Sequence, residues 1–125
     1  MAKILVAEDE KDIRELIQFT LSFAGHTITA VNNGAEAVEQ AQKDPPDLIL
    51  LDGRMPRMTG YEACKAIKQM ERFKDTPVVF LSAKGQNEDL QEGLDAGASE
   101  YILKPFSPQD LIERVGALLQ GRNIQ

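Results

Sequence analysis

Short apolar runs alternate along the chain with longer stretches in which apolar residues recur at helical spacing. That alternation predicts repeated strand–helix units on a parallel sheet. Lys3 to Ala7 forms the first strand, and the segment after it puts Ile13, Leu16, Ile17, Leu21 and Ala24 on one helical face before Gly25 stops it. His26 to Val31 mixes polar and apolar positions, as a strand near a sheet edge does. Asn32-Asn33-Gly34 then reads as a turn before a helix over Ala35 to Lys43. Beyond the Asp44-Pro45-Pro46 breaker, Leu48-Ile49-Leu50-Leu51 is an unbroken apolar run of the kind buried on both faces in a central parallel strand. It ends abruptly at Asp52.

A loop from Gly53 to Gly60 precedes a helix from Tyr61 to Met70, spaced through Ala63, Ile67 and Met70, with Phe73 just beyond it. Val78 to Leu81 is the next strand and stops at Ser82. Glu88 to Ala96 is the fourth predicted helix, with Gly97 placed for its left-handed cap. Tyr101 to Leu103 is the fifth strand, stopping at Lys104-Pro105. Ser107 then caps a last helix, Pro108 takes its first turn, and Leu111, Ile112, Val115, Leu118 and Leu119 form its apolar stripe. The reading is one domain over residues 1–120, a sandwich of five helices around one sheet, followed by a tail over 121–125.

Composition narrows the function classes. At 125 residues the chain can bury a single core without disulfide or metal staples. A net charge of −6 disfavours direct nucleic-acid binding, which draws its affinity from Lys and Arg on phosphates. No apolar stretch approaches bilayer length and no signal peptide opens the chain, which points to the cytoplasm and away from a membrane. The lone Cys64, on a predicted helix, reads as a small buried apolar group in a reducing compartment.

In an open α/β sheet, ligands bind beyond the carboxyl ends of the strands. Those ends carry Glu8-Asp9, Asp52, Ser82 and Lys104: three carboxylates, a hydroxyl and an ammonium. Carboxylates brought together repel one another unless a cation sits between them, and all-oxygen ligation suits Mg²⁺. A carboxylate held there can attack phosphorus while the cation and Lys104 neutralise charge and Ser82 hydrogen-bonds an oxygen. Taken singly, an acidic pair such as Glu8-Asp9 often only favours the start of the next helix, and strand-end serines and lysines are common. Asp52 is harder to dismiss, because an ionisable group ending a buried apolar run needs partners.

These residues, in the order Glu8-Asp9, Asp52, Ser82-Ala83 and Lys104-Pro105-Phe106, resemble the CheY-like receiver domain of two-component response regulators. The likeness runs from about residue 3 to 120 and includes Met55-Pro56-Arg57-Met58-Thr59-Gly60-Tyr61-Glu62 and Gly93-Leu94-Asp95-Ala96-Gly97-Ala98. It implies a flavodoxin-like three-layer sandwich with a five-stranded parallel sheet in the order 2-1-3-4-5. It also implies that Asp52 is the phosphorylated residue. Asp9 would be a direct ligand of Mg²⁺ or Mn²⁺, Glu8 a ligand mainly through water, and the backbone carbonyl of Arg54 a further ligand. Lys104 would pair with the phosphoryl group, and Ser82 and Tyr101 would be the switch pair, the Ser82 hydroxyl moving toward the phosphoryl group on activation and the Tyr101 ring turning inward behind it; the Lys104–Pro105 bond resembles one that is cis in the family. Three departures stand out: Glu8 where aspartate is frequent, Ser82 where threonine is frequent, and Gly53 where a bulkier residue is usual, which would leave the backbone beside Asp52 freer.

The implied function is phosphotransfer signalling rather than enzymatic turnover. A sensor histidine kinase or phosphotransfer protein supplies the phosphoryl group, and the surface of the fourth helix, fifth strand and last helix signals to an effector protein or domain. Glu100 and Arg114 resemble positions through which some receivers form a phosphorylation-dependent homodimer, although Gly116 and Gln120 fall where that group often carries basic residues. Arg54 and Lys84 correspond to positions that modulate phosphoryl lifetime, and two long basic side chains there predict slow loss. Three other readings compete. A Mg²⁺-dependent aspartyl phosphohydrolase would need a second carboxylate where Asp52-Gly53-Arg54 has arginine, and a flavin carrier would not place the acidic run Glu8 to Asp12 at its phosphate loop. A phosphate-independent interaction domain would normally lose the acceptor or the lysine.

Overall fold

The computed structural model describes residues 2–53, 55, 57–83, 96–104 and 106–124, and the backbone alone for residues 82, 83, 104 and 121–124. The apolar runs become five parallel strands: β1 (Lys3–Ala7), β2 (Thr27–Val31), β3 (Leu48–Asp52), β4 (Val78–Ala83) and β5 (Glu100–Lys104). β3 is buried at every residue, because β1 and β4 flank it and helices cover both faces of the sheet there. The order is β2-β1-β3-β4-β5, as the resemblance implies, and it reverses direction between β1 and β3. A cleft opens at such a reversal, beyond the carboxyl ends of the two strands.

Side-chain alternation along the central strands sorts the core into two layers. Leu48 and Leu50, with Ile4 and Val6, face Ile17 and Leu21 of α1 (Lys11–Phe23) and Leu111 and Val115 of the C-terminal helix (Pro108–Ile124). Ile49 and Leu51, with Leu5 and Ala7, face Ala37 and Ala41 of α2 (Gly34–Lys43) and Ala63 and Ile67 of α3 (Gly60–Lys68). A one-turn 3₁₀ segment, Glu71–Phe73, sinks Phe73 into the second layer. The fourth predicted helix, Glu88 to Ala96, lies outside the described residues apart from Ala96. Gly97 has the expected left-handed φ of +102°. No helix among the described residues is long and apolar enough to cross a membrane.

Local chemistry explains the ends and corrects several expectations. Asn32-Asn33-Gly34 is less a turn than a cap: the Asn33 side-chain oxygen accepts from the Glu36 N–H at 2.9 Å. α3 opens with a full capping box between Thr59 and Glu62. Ser107 caps the C-terminal helix as expected, its Oγ accepting from the Asp110 N–H at 3.0 Å. That helix continues to Ile124, through the segment expected to be a tail, because Arg122 and Asn123 are compatible with a helix and Gly121 lowers propensity without ending it. Leu16 is 44% exposed, not part of the buried face of α1, while Thr20 is buried there. With about 100° per residue, Leu16 lies roughly 90° round from the face centred on Ile17 and Thr20–Leu21. It joins Phe19 (72% exposed) and Phe23 (83% exposed) in a second apolar arc toward solvent.

Arg57 carries a φ of +69°, a region that costs a residue with a Cβ about 1 kcal/mol or more. Asparagine tolerates it better, so Arg57→Asn is expected to raise stability by about 0.5–1 kcal/mol, read from the urea midpoint.

His26 gives a pH dependence. Partial burial lowers its pKa below the ordinary 6.5, and its Nδ1 is buried without a hydrogen-bond partner. The folded protein therefore disfavours the charged ring, so the unfolded chain binds the proton more readily. This contribution is intact above the unfolded pKa and is lost as pH falls below it. Between about pH 7 and about pH 5 the urea midpoint should fall further in wild type than in His26→Gln.

Candidate functional site

β1 leads into Glu8 and Asp9, and β3 ends on Asp52 beside it. The Glu8 N–H donates to the Val31 carbonyl at 3.1 Å, which fixes the residue to the end of β2. Its own carboxylate turns back to accept the Glu10 N–H at 3.1 Å. Glu8 is fully buried, Asp52 is 6% exposed and Asp9 lies open to solvent. One carboxylate oxygen from each of the three comes within 4.8 Å of the others. Two buried carboxylates and a third at such range are costly unless a cation neutralises them, and a hard divalent ion accepts this all-oxygen donor set. The residues present thus fit the metal that the sequence implied.

Sequence reasoning missed Arg14. Its guanidinium donates to the backbone carbonyls of Glu8 at 2.9 Å and Asp9 at 3.5 Å, so α1 clamps the main chain that presents the acidic pair. The signal was an arginine inside the acidic stretch from Glu8 to Glu15, six positions after Glu8 and three after Lys11.

Gly53 and the described residues beyond it are held by main-chain hydrogen bonds. The Gly53 N–H donates to Leu81 O at 3.3 Å, the Gly60 N–H to Gly53 O at 3.2 Å, and the Gly34 N–H of α2 to Met58 O at 3.0 Å. Met55 is buried and Met58 packs against the same layer. Gly53 meets a demand for space: a Cβ built on it would lie 2.6 Å from Cζ of Tyr61. The glycine at this position thus answers to the Tyr61 ring.

Tyr101, on β5, packs its ring 5.8 Å from that of Phe80. Glu100 and Arg114 pair within the chain at 3.4 Å, and Arg114 also holds Asp110 at 3.1 Å and the Tyr101 carbonyl at 3.3 Å. Cys64 is buried, donates to the Ala96 carbonyl at 3.1 Å, and has its thiol pushed up to about 11 by burial, which keeps it protonated and unreactive. The backbones of Ser82, next to last in β4, and Lys104, last in β5, lie at the same rim as Asp52. Their side chains, with Arg54, Lys84 and Pro105, lie outside the described residues.

A reversed parallel sheet with an acidic cluster at its crossover defines a receiver-type α/β domain. The chain belongs to the response regulator receiver domain family, which matches residues 4–116. It is 42% identical over 118 residues to the phosphate regulon transcriptional regulatory protein PhoB of Escherichia coli (strain K12), covering 94% of this chain and 52% of that protein. It is 38% identical over 122 residues to the alkaline phosphatase synthesis transcriptional regulatory protein PhoP of Bacillus subtilis (strain 168), covering 98% and 50%. The chain thus spans about half the length of these curated relatives. Among solved structures it is similar to the chemotaxis response regulator CheY4 of Vibrio cholerae, with a TM-score of 0.89, 36% identity, and coverage of 94% of this chain and 98% of that one. It is also similar to the Francisella response regulator 1452 receiver domain, with a TM-score of 0.88, 34% identity, and coverage of 98% and 99%. It is a phosphoacceptor signalling domain of this family, and the phosphohydrolase reading is not favoured.

Proposed function

We propose that Asp52 is the phosphoryl acceptor. The observation that carries this is the convergence of Glu8, Asp9 and Asp52 at the crossover between β1 and β3. One Asp52 oxygen attacks the phosphorus of a phosphohistidine on a sensor kinase or phosphotransfer protein. The P–N bond breaks, its electron pair returns to the imidazole, and solvent supplies that ring's proton. In the reverse half of the cycle, water attacks phosphorus, the P–O bond to Asp52 breaks and inorganic phosphate leaves, so the domain catalyses only its own phosphorylation and reset. Glu8, Asp9, Asp52 and the Arg54 carbonyl hold Mg²⁺ or Mn²⁺, which when bound neutralises charge on the transferring group. Lys104 pairs with that group, Ser82 and Tyr101 relay its presence, and Arg54 and Lys84 slow its loss.

The partners are a kinase or phosphotransfer protein on one side and an effector protein or domain on the other, in the cytoplasm. Dimerisation through Glu100 and Arg114 would require both to exchange the intrachain partners they hold. Incubation with a small phosphoryl donor and Mg²⁺, followed by intact-mass analysis, tests the proposal: one adduct is expected, and none would overturn it.

Metal binding should be weak, because three side chains leave water to complete the shell. Asp9→Ala removes the exposed ligand and is expected to raise the Mg²⁺ concentration for half-saturation by about tenfold or more. An unchanged titration would remove Asp9 from the ligand set.

A further inference from the structure

Tyr61 and Tyr101 are the chain's only two tyrosines, and there is no tryptophan. Their hydroxyls lie 3.5 Å apart. Tyr61, the second residue of α3, is 2% exposed and lies over Gly53, with its ring occupying the space in which any other residue's side chain would begin. Phe80 lies between the two, 4.8 Å from Tyr61 and 5.8 Å from Tyr101, both in tilted contact. Phe80 is the register partner of Leu51 on β3 and of Tyr101 on β5. A row of three rings therefore runs from the backbone next to Asp52 across β4 to β5. Tyr101 is half-buried, held along its ring by Phe80 and at its tip by the Tyr61 hydroxyl.

We propose that Tyr61 is a positioning residue for Tyr101: its hydroxyl keeps the Tyr101 ring turned inward and thereby favours the conformation that phosphorylation selects. The functional half rests on the phosphoacceptor reading above, whereas the geometric half does not. A phenol this deep in a core keeps its place by hydrogen bonding, and the neighbouring ring supplies a partner. Gly53 is then half of the device. A bulkier residue after Asp52 would displace Tyr61 and break its contact with Tyr101. The apparent affinity of a ligand for a switch scales with the population of the competent state, so a hydroxyl that raises the inward population raises that affinity without touching the ligand.

The test is Tyr61→Phe, which keeps the ring and its packing and removes only the hydroxyl. Protein labelled with 3-fluorotyrosine gives two ¹⁹F resonances in the wild type and one, from Tyr101, in the variant. The Tyr101 resonance is expected to move toward that of free fluorotyrosine. The concentration of beryllofluoride, an acyl-phosphate mimic, that half-saturates the site with Mg²⁺ present should rise about 2–10-fold, the equivalent of one partly buried hydrogen bond. An unmoved resonance, or a half-saturation that is unchanged or lower, would overturn the proposal and leave Tyr61 as a space-filling ring. If the wild type took up no phosphoryl group, the acceptor reading would fail instead, and the resonance shift alone would still decide the hydroxyl contact.

Discussion

Asp52→Asn is expected to abolish phosphoryl uptake, with no adduct detectable by intact mass under conditions that give one in the wild type. The amide keeps the size and shape of the carboxylate at the end of β3. On the proposed reading it has lost the charged oxygen that attacks phosphorus, and it cannot form the same acyl phosphate. The fold should survive, since β3 keeps its pairing to β1 and β4 and its apolar residues remain buried. A urea transition with the wild-type slope checks that point. Persistence of the adduct in the variant would move the acceptor elsewhere, with Asp9, the exposed carboxylate of the cluster, the first candidate.

Gly60→Ala should be among the most destabilising single-methyl additions to the chain. A Cβ at this first residue of α3 would fall 2.9 Å from the carbonyl carbon of Asp52 and closer still to its oxygen. The obstacle is main chain at the end of β3, paired to β4 at Asp52 and to β1 one residue earlier, so it cannot swing away as a side-chain tip would. A cost of about 3 kcal/mol is expected, in line with overpacking against an unyielding wall. Gly116→Ala is the matched control: it lies inside the C-terminal helix with nothing within 4 Å of its Cβ, so the same methyl should stabilise by about 0.5–1 kcal/mol. Comparing the two urea midpoints separates a close approach from a mere loss of glycine. Gly60→Ala should also slow phosphoryl uptake, because any relief must move Asp52.

The central strands and their last residues were legible in the sequence because a parallel strand covered on both faces leaves an unmistakable apolar run. Leu48 to Leu51 ending on Asp52 is the clearest case. Once the strand ends were known, the acidic cluster followed from topology. Features that depend on distance across the sheet were not legible. Nothing in the spacing of Gly53, Tyr61 and Tyr101 says that the three meet, since their proximity arises only when β3, β4 and β5 align. The face of α1 was misjudged at Leu16 for a related reason. The helix carries more apolar arc than the sheet covers, so its burial is set by where the sheet lies rather than by its own pattern. The run to Ile124 was missed because the segment from Gly121 was read as a tail, whereas the helix carries on through that glycine.

That uncovered arc also bears on how the molecule behaves in concentrated solution. Leu16, Phe19 and Phe23 form a sticky stripe on an otherwise charged particle, and at neutral pH the net charge of −6 keeps such stripes apart. As the solution is acidified toward the isoelectric point near 4.8, that long-range repulsion fades while the stripe stays as apolar as before. Colloidal stability is therefore governed by titration of the acidic surface, and added salt, by screening the same charge, pushes the molecule in the same direction.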